Sequence, residues 1–138
     1  EEIQFSGHAI QCRLNAEDPN HFVPSPGKLW DCHFPGGKGV RVDTHAHIGY
    51  EMPGCFDSLL AKLIVWGQDR DEAIAKMKAA LAETTLIGVD TVIPLHQAIL
   101  DEPDFIARDV TIQYLEDHPR YNRMNTFKHL VVYESSSN

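Results

Sequence analysis

The chain has 138 residues, of which 43% are apolar and 23% charged. That is the size and balance of one globular domain able to bury a core without disulfide or metal staples. A formal net charge of −8 argues against nucleic acid as the main partner, since phosphate binding needs clustered Lys and Arg.

No apolar run approaches the roughly 20 residues that span a bilayer, so no membrane is expected, and the start carries no signal-peptide pattern. The three cysteines, Cys12, Cys32 and Cys55, are odd in number and widely spaced. They predict free thiols in a reducing cytoplasm, with a mitochondrial or plastid matrix left open. The opening Glu1-Glu2, without a Met, reads as part of a longer polypeptide.

Along the chain, residues 8–14 alternate, with His8, Ile10, Cys12 and Leu14 on the apolar face and Ala9, Gln11 and Arg13 on the polar one. This predicts a half-buried strand. Residues 15–27 hold three prolines and a closing Gly and read as a loop. Residues 28–34 and 39–45 read as two strands joined through Pro35-Gly36-Gly37-Lys38 as a hairpin. On the second of these, Val40, Val42 and Thr44 share one face, and Arg41, Asp43 and His45 the other. Residues 62–66 predict a further strand.

A helix over 70–83 is the clearest element. Asp69 suits the N-cap with Glu72 three residues on, and Ile74, Met77 and Leu81 form its apolar stripe. A second helix is expected from Pro94 to about Asp101, where a missing N–H costs little, and short helical turns over 103–108 and 112–117. Beyond His118 the pattern weakens, although Phe127–Tyr133 has strand character. Strands first and helices later predict an α+β fold: a small antiparallel β-sheet of about three main strands with helices packed on one side. Residues 1–117 are expected to form the domain and 118–138 an unassigned tail.

Five strings occur in order: GHAIQCRLNAEDP (Gly7 to Pro19), FVPSPGKL (Phe22 to Leu29), PGGKGVRVD (Pro35 to Asp43), FDSLLAKLIVWG (Phe56 to Gly67) and RDEAIAKMKAAL (Arg70 to Leu81). Together they resemble the C-terminal domain of biotin carboxylases, the subunit or domain found in acetyl-CoA, propionyl-CoA and pyruvate carboxylases. One such string would be weak; five in sequence are specific.

The resemblance implies ATP- and bicarbonate-dependent carboxylation of biotin held on a carrier protein. It implies that Arg13 is the catalytic, biotin-binding Arg that stabilises negative charge on the ureido oxygen. The local pattern agrees: Arg13 lies on the polar face of a strand beside a Pro-rich loop, and its planar, always-charged fork suits the task better than Lys. Asp57 matches the family's Asp beside that Arg; its position before Ser58-Leu59-Leu60 also fits a helix cap, and both readings stand. Arg41 matches a dimer-interface Arg, with Lys38 where an aromatic often sits. Ile112 and Gln113 match positions lining the far side of the adenine pocket.

The partners so implied are the N-terminal and ATP-grasp domains of the same enzyme, a biotin carboxyl carrier protein, a carboxyltransferase and a second copy in a homodimer. ATP and Mg²⁺ would be held mainly by the ATP-grasp domain, and without it the chain is expected to be inactive alone. The rival reading is a non-catalytic assembly module derived from the same family. His45 and His47, with Cys32, His33 and Cys55 near in sequence, lack paired zinc-site spacing and read as exposed strand histidines, so no metal site is expected. Gly36-Gly37-Lys38-Gly39 lacks the phosphate-loop pattern and a following helix.

Overall fold

The computed structural model of the chain describes residues 5–54 and 57–121. Its elements are β1 (His8–Asn15), β2 (Gly27–Lys28), β3 (Asp31–His33), β4 (Val40–Thr44), β5 (Glu51–Met52), β6 (Leu59–Gly67), α1 (Arg70–Glu83), β7 (Thr85–Ile87), α2 (Ile93–Asp101), α3 (Pro103–Ala107) and α4 (Tyr114–Asp117). The fold is α+β. One three-stranded antiparallel sheet, ordered β1-β6-β4, is flanked by two-stranded pairs β2-β5 and β3-β7.

Strand β6 takes the centre because it is the longest strand and is apolar along both faces except at Lys62. Ala61, Leu63 and Val65 point inward, in register with Leu14, Cys12 and Ile10 of β1, and Leu63 and Val65 also face Val42 and Val40 of β4. Helix α1 lays Ala73, Ile74, Met77, Ala80 and Leu81 on that surface, joined by Leu100 of α2. The stripe follows the expected 3.6-residue period. Leu14, Leu63 and Met77 are fully buried, and each such side chain contributes ~1.5–3 kcal/mol. The helix starts as predicted: Asp69 accepts from the Glu72 N–H at 2.8 Å. The Glu72 carboxylate reaches back one residue past the cap, accepting from the Gln68 N–H at 2.7 Å.

The predicted hairpin is not formed. Strand β3 pairs with β7 and strand β4 with β6, so residues 34–39 link two different sheets. Gly37 (φ +116°) and Gly39 (φ +76°) turn the chain away from β3, and the Gly39 carbonyl accepts from the Trp66 N–H at 2.8 Å, delivering β4 to the edge of β6. The predicted strand 28–34 is divided between β2 and β3, with Trp30 68% exposed between them. Helix α2 begins at Ile93, one residue before Pro94.

A second cluster, Ala16, Leu29, Met52 and Leu60, lies where the small strand pairs cover the far end of β6. A third joins Val92 and Leu95 to Tyr121, with Phe22 and Tyr114 at its margin. Among the described residues no helix is long and apolar enough to cross a membrane. The strand expected over 127–133 and the Ser-rich end lie outside the described residues.

Candidate functional site

Alternation along β1 sends Ile10, Cys12 and Leu14 into the core and leaves Arg13 on the outer face. Its register partner is Lys62 of β6, whose partner on the other side is Asp43 of β4. Two cations directly opposite repel, and Asp43 offsets the repulsion from across the sheet. Arg13 Nη2 stands 3.8 Å from Asp57 Oδ2, with the side chains 53% and 69% exposed. An exposed pair at that separation contributes only ~0–1 kcal/mol. Its consequence is placement: a permanently charged fork with a carboxylate on one side and open solvent on the other can meet an anionic ligand oxygen.

Asp57 does not cap a helix. Its Oδ1 accepts from the Leu59 N–H at 3.1 Å, a short turn that opens strand β6. The continuous apolar run that follows makes a strand, so the capping reading is corrected while the placement beside Arg13 is observed.

Two features next to the pair were not singled out from the sequence. His96 of α2 reaches the Arg13 carbonyl, Nε2 to O 2.8 Å. Burial pushes the imidazole below the ordinary histidine range, and the bond to the Arg13 carbonyl only partly opposes this. Beyond the strand end, the Glu17 carboxylate accepts from Asn15 Nδ2 at 3.0 Å and from the buried Ser58 hydroxyl. Asn15 and Glu17 lie inside the NAEDP string and Ser58 adjoins Asp57, but the contact between them spans 41 residues of sequence.

The other expected residues are not joined to Arg13 and Asp57 by a hydrogen bond or ion pair among the described residues. Arg41 is held in a two-pronged bond by Asp43, Nε to Oδ1 and Nη2 to Oδ2 both 2.9 Å. That contact lowers the Asp43 carboxyl below the usual range and raises the guanidinium. Lys38 is exposed in the turn before β4. Ile112 is fully exposed, and Gln113 forms the N-cap of α4.

His45 and His47 are not strand histidines. Strand β4 ends at Thr44, and both rings sit edge-on to Tyr50 in the turn that follows, centroids 5.0 and 5.9 Å away. Among the described residues no group of three or more His, Cys, Asp or Glu is placed to hold a metal ion. Cys12 and Cys32 are free thiols, and burial pushes Cys12 up to about 12. Cys55 lies outside the described residues.

Comparison with known proteins identifies the family. The family described as biotin carboxylase C-terminal domain matches residues 11–117. The chain is 50% identical over 116 residues to a biotin carboxylase of Haemophilus influenzae, covering 84% of this chain and 26% of that protein. It is 46% identical over 120 residues to a pyruvate carboxylase subunit of Methanothermobacter thermautotrophicus, covering 86% and 24%. It thus spans about a quarter of the length of these relatives.

Among solved structures, a Campylobacter jejuni biotin carboxylase in complex with a β,γ-ATP ligand superposes with a TM-score of 0.81 at 42% identity, over 83% of this chain and 26% of that one. The biotin carboxylase domain dimer of Hydrogenobacter thermophilus 2-oxoglutarate carboxylase, solved with MgADP, ADP and bicarbonate, gives 0.82 at 43%, over 86% and 26%. The chain belongs to the biotin carboxylase C-terminal domain family.

Proposed function

We propose that this domain forms one wall of the biotin site in an ATP- and bicarbonate-dependent biotin carboxylase, the first half-reaction of a biotin-dependent carboxylase. The observation that carries the reading is the Arg13–Asp57 pair, 3.8 Å apart at the open corner between β1 and β6. When the biotin N1′ loses its proton, negative charge gathers on the ureido oxygen. The Arg13 guanidinium meets it there and lowers the barrier, because its donors are set before charge develops. Asp57 lies beside the fork without neutralising it, since both groups stay largely in water.

ATP with Mg²⁺ supplies the phosphoryl activation of bicarbonate. We assign their contacts to an ATP-grasp domain of the complete carboxylase, in line with the similarity to biotin carboxylases solved with bound nucleotide. Full exposure of Ile112 supports assigning it, with Gln113, to the far wall of an adenine pocket completed by that domain. Arg41, already oriented by Asp43, and Lys38 belong to a homodimer interface. A biotin carboxyl carrier and a carboxyltransferase complete the assembly. The free thiols Cys12 and Cys32 support a reducing compartment.

The test is Arg13→Ala in the complete carboxylase. Biotin carboxylation is expected to fall about 10²–10³-fold with little change in the KM for ATP. Unchanged biotin-dependent turnover would remove the assignment.

A further inference from the structure

Arg13 and Asp57 are too exposed and too far apart to hold each other in place. The β1–β6 ladder does not do it either, because its register slips between Leu14 and Asn15, just past Arg13. Such irregularities redirect side chains near sites, and they leave the strand end without regular pairing.

What ties this corner is a ring of three hydrogen bonds. Asn15 Nδ2 donates to Glu17 Oε1 at 3.0 Å and to Ser58 Oγ at 3.1 Å, and Ser58 Oγ donates to the same Glu17 oxygen. The Ala16 N–H adds a bond to the Ser58 carbonyl at 2.8 Å. Asn15 is two residues from Arg13, and Ser58 adjoins Asp57.

A carboxylate only accepts, so Glu17 dictates the direction of the Ser58 hydroxyl and the way round of the Asn15 amide. The reversed amide would set oxygen against oxygen. The orientation it enforces leaves Asn15 Oδ1 buried without a partner among the described residues. A folded chain accepts that cost only where the opposite arrangement is worse.

We infer that Glu17 is a positioning residue: acting through Ser58 and Asn15, it holds the strand end that bears Arg13 against the segment that bears Asp57. The functional half of this inference rests on the proposed role of Arg13; the geometric half does not.

Two measurements separate them. In the 138-residue chain, amide hydrogen exchange is read residue by residue by NMR. Glu17→Ala is expected to speed exchange at Ala16 and Leu59 roughly tenfold or more, with Met77 and Leu81 of α1 unchanged. Ser58→Ala, which keeps the Glu17–Asn15 bond, shows the same local pattern more weakly and serves if Glu17→Ala does not fold. In the complete carboxylase, Glu17→Ala lowers kcat for biotin carboxylation about tenfold and leaves the KM for ATP unchanged. Glu17→Gln, which retains an acceptor oxygen, recovers most of the rate.

Unchanged exchange at Ala16 and Leu59 in both alanine variants overturns the inference. So does acceleration that extends through α1, which would reduce Glu17 to a general stability role. Wild-type turnover of Glu17→Ala in an enzyme that Arg13→Ala disables also overturns it. If Arg13→Ala itself is silent, the biotin-site reading falls and with it the catalytic half, while the exchange data still decide whether Glu17 holds the corner.

Discussion

The His96 imidazole donates from Nε2 to the carbonyl oxygen of Arg13 at 2.8 Å, a bond spanning 83 residues of sequence. Strand β1 is an edge strand, so a carbonyl on its open side has no ladder partner, and an unpaired edge is a liability. Helix α2 closes it at Arg13, whose side chain lies on the outer face of the strand. The fold therefore holds Arg13 from both sides: His96 at its own carbonyl, and the Glu17 ring two residues on.

The burial of this imidazole has a pH signature. Burial holds the His96 pKa below its unfolded value, so between the two values the unfolded chain binds a proton that the folded chain refuses. The stability contributed is fully present above the unfolded value of about 6.5 and is lost as pH falls through the lowered folded value. His96→Gln keeps an N–H donor and has no proton to take up. Urea unfolding midpoints measured from about pH 7.5 to about pH 5 are expected to decline more steeply for the parent chain than for His96→Gln. Parallel declines would show that His96 does not set this dependence.

Arg70 is a second anchor. Its Nη1 donates to His8 Nε2 at 3.1 Å, its Nε to the Ile106 carbonyl at 3.4 Å and its Nη2 to the Phe105 carbonyl, while the guanidinium lies 4.7 Å over the Phe105 ring. One planar fork thus joins the start of β1, the first turn of α1 and the end of α3. Lysine keeps the charge and loses the fork. Arg70→Lys is expected to cost ~1–2 kcal/mol, read as a drop of several degrees in Tm and as faster exchange of the Arg108 amide, which bonds back to Phe105. An unchanged Tm would mean that solvent replaces these contacts at no cost.

Local pattern makes much of this fold legible, and non-local pairing does not. The alternation of β1 names the right inward and outward residues, and Asp69 with Glu72 marks the start of α1, because both signals act within a few residues. The partner of β4 is misread because Val40 and Val42 present a half-buried face that fits β3 or β6 equally well by pattern. The choice is made by the longer apolar surface of β6. Asp57-Ser58 resembles a helix cap locally, and only the strand-length run after it decides otherwise. Arg13 and Asp57 are found through a family motif. His96 and the Glu17–Ser58 contact stay hidden because their partners lie 83 and 41 residues away, and no short-range pattern encodes them.

Two glycines contrast how the chain uses the residue. Gly88 follows β7 at φ +119°, and a Cβ there would sit 1.9 Å from the Lys28 carbonyl oxygen and 2.9 Å from Trp30 Cδ1. That close crossing brings the two small strand pairs together over the buried Leu29 and Leu60. Alanine would meet both a disfavoured backbone angle and a backbone atom that cannot yield, so Gly88→Ala is expected to cost more than ~3 kcal/mol. Gly36, in the link between β3 and β4, has nothing within 4 Å of its would-be Cβ and no positive φ. Gly36→Ala is therefore expected to be neutral or to stabilise by up to ~1 kcal/mol, through a less free unfolded chain. Denaturant midpoints of the two variants, measured side by side, check the pair. Equal effects would mean that the Gly88–Lys28 crossing does not hold the strand pairs together.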